Sequence, residues 1–336
     1  MQIFEFDPNS FSKEKYNIGG ISTYVYNSDL LVPYIKQFDD ANLPHIEEIP
    51  INVLYLVHQR GGDHRFTESV AYNVLKQFYS KRSQSTGAGE EETTIPLICV
   101  TFDIRNHGER LVDELRNSSW TKGNQSHAVD MVSGIEGNVR DLKLIIDYLP
   151  SYLNLDHFLG EEFRERNPSC EIKFNNILSG YSLGGHTVFR FASEYPELVK
   201  IINPVVGCHD LTSLLVNRLK QTSIESSSYL KKYFYFNYPE LDLNTEQKQL
   251  NYPEIFHKSL SKQDIKIFEN FPMNHIKMFA CFGKEDTLVP PKLSSIWCEI
   301  YVNSNAASEV FIQEGVGHDV TPEMIDRFST WLVKNI

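Results

Sequence analysis

Long apolar runs are missing from this 336-residue chain, and no uninterrupted stretch would cross a bilayer, so no transmembrane segment is expected. Internal repeats are missing as well, which sets aside solenoids and propellers. The first residues, MQIFEFDPNSFSKEKY, lack the basic region and apolar core of a secretory signal. Cysteine is sparse: Cys99, Cys170, Cys208, Cys281 and Cys298 are scattered, odd in number, and form no CxxC pair or cysteine–histidine cluster. Neither a disulfide framework nor a zinc site is expected, and reduced thiols in a cytoplasmic protein are. Without a signal, the glycosylation-like Asn117-Ser118-Ser119 and Asn124-Gln125-Ser126 read as chance matches. Positive charge is in deficit; the net charge of -12 repels phosphate and argues against nucleic acid or an anionic membrane as partner.

What is present is ordinary for a globular protein, with 41% hydrophobic and 23% charged residues. Residues 1–50 are aromatic-rich and broken by Pro8, Gly19-Gly20, Pro33, Pro44 and Pro50, with one short strand expected over Ile21–Tyr26. The organised core begins at Ile51. INVLYLVH, IPLICVTFD (95–103), Ile177-Leu178, LVKIINPVV (198–206), IKMFACF (276–282) and 308–313 read as strands, several of them continuous apolar runs typical of strands covered on both faces. Helical patterns fall at 66–79, 138–149, 291–301 and 322–333, the last opened by Pro322. Residues 80–94 are polar and glycine-rich and read as a surface loop. Residues 117–134 read as a polar loop, and 151–169 as a connection with room for one short helix. Strands alternating with helices predict an α/β fold with a mostly parallel sheet in three layers. Residues 209–274 show no sheet pattern but carry a dense aromatic run, Tyr233 to Tyr238, and read as an inserted lid.

The chemistry centres on GYSLGG, 180–185, between an apolar strand and a helical pattern. Glycines at such a corner let strand and helix cross closely, while Ser182 projects its hydroxyl at the head of a helix. Glycine and serine are common in turns, so the pattern needs company. Asp286 and His318 each follow a predicted strand, and loops at the carboxyl ends of parallel strands gather at one place. The order Ser, Asp, His is that of a nucleophile-elbow hydrolase.

On these residues the sequence resembles the α/β-hydrolase superfamily: GYSLGG around Ser182, FGKEDTLVP around Asp286, EGVGHDVT around His318, DIRNHGER at 103–110 and LVHQRGG at 56–62. The resemblance runs from Ile51 to the C-terminus, apart from the lid, with 1–50 as possible leading antiparallel strands. It implies Ser182 as nucleophile, His318 as general base and then acid, and Asp286 as the orienting carboxylate. It implies the Leu183 amide as one oxyanion donor and the His58–Gly62 loop as source of the second, Arg60 first and Gln59 next. Gln59-Arg60 stands where many members have glycine, a departure from the pattern.

The implied activity is hydrolysis of a carboxylic ester or related small-molecule acyl compound through an acyl-enzyme, with no cofactor and no metal. A peptidase or thioesterase, or a noncatalytic binding protein of the same fold, are the alternatives. Several neighbours carry plainer readings: Glu285 as an adjacent carboxylate that does not replace Asp286, Asp319 as a solvated turn residue, and His186 as a residue that supports the site or packs behind it rather than the base. His58 reads as a loop support, Asp103, Arg105 and His107 as a hydrogen-bond network, and Tyr233–Tyr238 as either pocket lining or lid packing.

Overall fold

The computed structural model describes residues 1–39, 45–85, 94–222 and 232–336. Eight strands make one sheet: β1 (Lys13–Ile18), β2 (Ile21–Tyr26), β3 (Glu48–Val57), β4 (Leu97–Phe102), β5 (Glu171–Tyr181), β6 (Ile201–Val205), β7 (Lys277–Gly283) and β8 (Glu309–Gln313). Their order is β1-β2-β4-β3-β5-β6-β7-β8, antiparallel where β2 meets β1 and β4 and parallel at every later pairing. The helices between them are α1 (Leu31–Lys36), α2 (His64–Ser85), α3 (His127–Leu153), α4 (Glu161–Arg166), α5 (Leu183–Glu194), α6 (Leu211–Lys220), α7 (Glu254–Asn270), α8 (Ser295–Ser304) and α9 (Pro322–Asn335). None of the described helices is long and apolar enough to cross a membrane.

The period-two alternation of a strand divides the core into two. Ile49, Ile51, Val53, Tyr55 and Val57 of β3 point into the layer built by α3, α5 and the elements between β6 and β7. Leu54 and Leu56 point the other way, among Phe66, Val70 and Val74 of α2 and Phe328 and Trp331 of α9. Both faces of the central strands are therefore buried, which is why they read as unbroken apolar runs.

The departures from expectation have local causes. β1, KEKYNI, is an edge strand that pairs with β2 on one side only, so its charges stay in water and hide its pattern. Helix α3 begins at His127 and passes through Pro150, rather than covering 138–149 alone. Its first turns bury His127, Ala128, Met131 and Val132, so the stretch read as a polar loop has an apolar face. The expected loop at 80–94 is helical through Ser85, and its positions 86–93 lie outside the described residues. Between β6 and β7, α6 and α7 enclose short turns of 3-10 helix, with 223–231 outside the described residues.

Register brings the strand ends together. Val57 pairs with Gly180, Tyr181 with Val205, Val205 with Cys281 and Gly283 with Gln313, so the loops that follow β3, β5, β7 and β8 meet at one rim.

Candidate active site

Ser182 occupies the single residue between β5 and α5, with φ 54° and ψ −108°. A non-glycine residue held at that backbone angle is strained, and close packing holds it there. A Cβ on Gly180 would lie 2.1 Å from the Gly184 carbonyl oxygen, and one on Gly184 would lie 1.9 Å from that of Val57. Only hydrogen fits at either position. The Ser182 amide donates to the Val205 carbonyl at 2.9 Å, which ties the turn to β6.

His318, in the loop after β8, reaches Ser182 Oγ with Nε2 at 2.8 Å and Asp286 Oδ2 with Nδ1 at 2.7 Å. The carboxylate accepts from Nδ1, leaving Nε2 with the lone pair that faces the serine hydroxyl. Asp286 is buried, and its other oxygen accepts from the amides of Leu288 and Val289, both at 2.9 Å. Gly283 matters here, because a Cβ on it would lie 2.1 Å from the Gly317 carbonyl oxygen; its absence lets the acid loop and the histidine loop pack together. Glu285 is exposed and Asp319 caps its own turn through the Val320 amide, so neither competes with Asp286 for His318.

Leu183 opens α5, so its amide is among the first-turn N–H groups that have no partner within the helix. On the facing loop His58 is fully buried, accepts from the Ile104 amide at Nε2 (3.1 Å) and donates from Nδ1 to the Gln59 carbonyl (2.8 Å). In a trans peptide the C=O and the next N–H point in opposite directions, so holding the Gln59 carbonyl at His58 turns the Arg60 amide away from it. Burial pushes the His58 imidazole down to about 4, keeping it neutral for this bond. Arg60 and Leu183 border the same cavity of about 440 Å³, together with His127 and Met131; Gln59 does not. A second cavity of about 460 Å³ shares Arg60 and His127 and is bounded by Trp120, Arg218 and Leu288. Asn244, Glu246, Gln247 and Asn251 of the segment between β6 and β7 line it as well.

The remaining residues singled out by sequence have structural work. His186 is buried, with Nδ1 against the Cys208 amide and carbonyl at 3.0 and 2.8 Å, and burial lowers it to about 3. Asp103 meets the His64 ring at Nδ1 (3.2 Å) and accepts from the amides of Glu109 (2.8 Å) and His64 (2.7 Å); burial raises its pKa, but these bonds outweigh it and bring the carboxyl to about 2. Arg105 pairs with Asp141 through Nε and Nη2 at 3.0 and 2.8 Å, and His107 meets the Arg105 carbonyl at 2.8 Å. In the aromatic run, Tyr233 and Phe234 are buried and Phe234 packs 5.5 Å from Phe268 of α7, centroid to centroid. None of the run borders the two cavities beside Leu183 and Arg218. Sequence reasoning missed His127, Met131 and Arg218, because nothing local marks a side chain that meets the site only through tertiary packing. Among the described residues no group of three His, Cys, Asp or Glu side chains could hold a metal ion.

No protein-family model matches the chain, and no curated protein sequence matches it. Solved structures do. A Thermus thermophilus protein aligns with 96% of this chain and 96% of its own at a TM-score of 0.55 and 13% identity. Est1E from Butyrivibrio proteoclasticus, with ferulic acid bound, aligns with 96% of this chain and 98% of its own at a TM-score of 0.50 and 14% identity. At these identities the likeness is one of fold. With the strand order described above, the chain has the α/β-hydrolase fold.

Proposed function

We propose that this protein is a serine hydrolase that cleaves a carboxylic ester or a related acyl compound through Ser182. The observation that carries the reading is the unbroken hydrogen-bonded chain from Asp286 Oδ2 through His318 to Ser182 Oγ, 2.7 and 2.8 Å long in its two links. A serine hydroxyl attacks a carbonyl only as its proton is removed, and Nε2 of His318 is placed to take it. Asp286 holds the ring in the required tautomer and stabilises the imidazolium that forms. The tetrahedral oxyanion is received by the amides of Leu183 and Arg60; two such donors are worth several kcal/mol together, at about 3 kcal/mol each. His318 then protonates the leaving group, and water activated by the same nitrogen releases the acid.

Residues 209–274 act as a lid in this reading, supported by the four residues from 244 to 251 that border the cavity. The five cysteines are free thiols, which supports a cytoplasmic setting. A noncatalytic binding protein would have no need of the strained Ser182 or the two-link chain, so the structure favours catalysis. No particular observation favours a peptide or thioester over an ester.

The test is labelling with a fluorophosphonate, comparing the parent with Ser182→Ala, His318→Ala and Asp286→Asn. Stoichiometric labelling of the parent and none of Ser182→Ala is expected, with losses in ester hydrolysis of about 10³-fold or more in all three. A folded parent that neither labels nor hydrolyses any member of an acyl panel sinks the proposal.

A further inference from the structure

Two cationic side chains, Arg60 facing Leu183 across a shared cavity and Arg218 near Asp286, lack a carboxylate partner among the described residues. Other arginines near the same loops each have a carboxylate partner: Arg105 and Arg110 share Asp141, Arg116 meets Asp113 and Asp130, and Arg190 meets Asp264. Arg60 and Arg218 border one cavity of about 460 Å³, and no carboxylate among the described residues lies within 4.0 Å of either guanidinium. Glu246 borders that cavity too, without reaching them. Asp286 is the acidic neighbour of Arg218, but its two oxygens are already taken by His318 and the Leu288 and Val289 amides.

Their donors are equally unspent. A guanidinium has five N–H groups. Arg218, on the last turn of α6, gives one from Nη2 to the Leu288 carbonyl at 2.7 Å; Nη1 meets only the weakly accepting Met131 sulfur at 3.9 Å, and Nε is buried with no partner. Arg60 reaches His127 Nδ1 at 3.1 Å, yet that nitrogen also stands 3.0 Å from the Ser118 carbonyl. With a proton on Nδ1 the ring donates to Ser118 and cannot accept from Arg60; without it, Nδ1 faces the carbonyl lone pair to lone pair. Either way one group is left short. Burial first, and then the positive charge of Arg60 and Arg218, lowers His127 to about 3, so the ring adds no charge of its own. Burial and the charge of Arg60 lower Arg218 to about 10, where it is still protonated at neutral pH.

Two half-buried guanidinium groups whose charges repel each other are costly to hold unless something anionic joins them. We propose that Arg60 and Arg218 form an anion-binding subsite, and that the substrate is an acyl ester carrying a second, anionic group, a carboxylate or a phosphate, remote from the bond that is cut. The forked donors suit either oxyanion. The chain's net charge of -12 offers such a substrate no long-range attraction, so recognition is local to this cavity. The subsite rests on the serine-hydrolase reading but is tested apart from it.

The experiment uses p-nitrophenyl esters of adipic acid (free terminal carboxylate), its terminal amide, and the terminal phosphonate of matching length, extended over a short series of chain lengths. Fluorophosphonate labelling is run on every protein used. The parent is expected to show kcat/KM about tenfold or more higher for an anionic ester than for its amide isostere, and the better anion identifies the group. Arg60→Gln and Arg218→Gln are each expected to shrink that ratio by about tenfold, with Arg218→Lys retaining part of it. Because the parent's preference is read without a substitution, misfolding of a variant cannot mask the result. A labelled parent indifferent to both anions at every length overturns the subsite alone, as does a preference that survives both glutamine substitutions. A parent that neither labels nor hydrolyses takes the serine-hydrolase reading down with it.

Discussion

The carbonyl oxygen of Val57 stands 1.9 Å from the point where a Cβ on Gly184 would lie. That contact ties the end of β3, which carries the His58–Arg60 loop, to the first turn of the helix behind Ser182. Gly184→Ala should therefore drive β3 and α5 apart at the candidate site. A loss of about 3 kcal/mol or more is expected, since backbone atoms cannot step aside as a side chain can. Gly134 provides the contrast: within α3, with nothing inside 4 Å of its would-be Cβ, alanine there should stabilise by about 0.5–1 kcal/mol. Urea unfolding of the two variants checks both signs.

Stability should fall as solutions become mildly acidic. Burial pushes His58 down to about 4 and His127 and His186 to about 3, so all three are neutral in the folded chain. Unfolded, each takes up a proton below about pH 6.5. Their contribution is thus fully present above that pH and is lost as the pH falls toward the folded values. At about pH 5 each histidine should cost about 2 kcal/mol relative to neutral pH. Asp103 is shifted in the same direction, to about 2, so its contribution too is present at higher pH, but it is lost only as the pH falls from the usual carboxylate range toward that value. Equilibrium unfolding across this window should show the decline, and His186→Gln should make it shallower; a flat profile would contradict the buried placement.

Arg190 of α5 and Asp264 of α7 meet at 2.5 Å with side chains only 4% and 0% exposed. Asp264 also accepts from the Thr212 amide and hydroxyl at 2.7 and 2.6 Å, so one carboxylate clamps α7 to the second half of α5 and the head of α6. Asp264→Ala strands a buried cation and should cost about 3–5 kcal/mol. Arg190→Met combined with Asp264→Leu should recover much of that loss, because neither charge is then left uncompensated. A thermal-melting series of the single and double variants would show the non-additivity.

Much of this architecture is legible in the sequence. The parallel strands could be read because burial on both faces demands unbroken apolar runs, and β3, β4 and β7 have them. Ser182, Asp286 and His318 stand out because glycine-flanked polar residues directly after such strands are conspicuous, and His318 lies within hydrogen-bonding distance of the other two. β1 was obscured by the charges an edge strand leaves in water, and the start of α3 by polar residues on the outer side of an amphipathic helix. Charge compensation was invisible altogether. That Arg105 has Asp141 while Arg218 has no carboxylate among the described residues depends on which helices come together, and no local pattern encodes it.

Ser182 and His318 lie 136 positions apart, and β8, which carries the histidine loop, pairs with the sheet only through β7. Contacts of such long range form late, after the loop-closure entropy has been met. Catalytic competence should then be the last property to return when the denatured chain is diluted into buffer. Fluorophosphonate reactivity is expected to trail the recovery of far-ultraviolet circular dichroism. Stopped-time labelling during refolding would time the docking of the final strand, with Ser182 acting as its own clock.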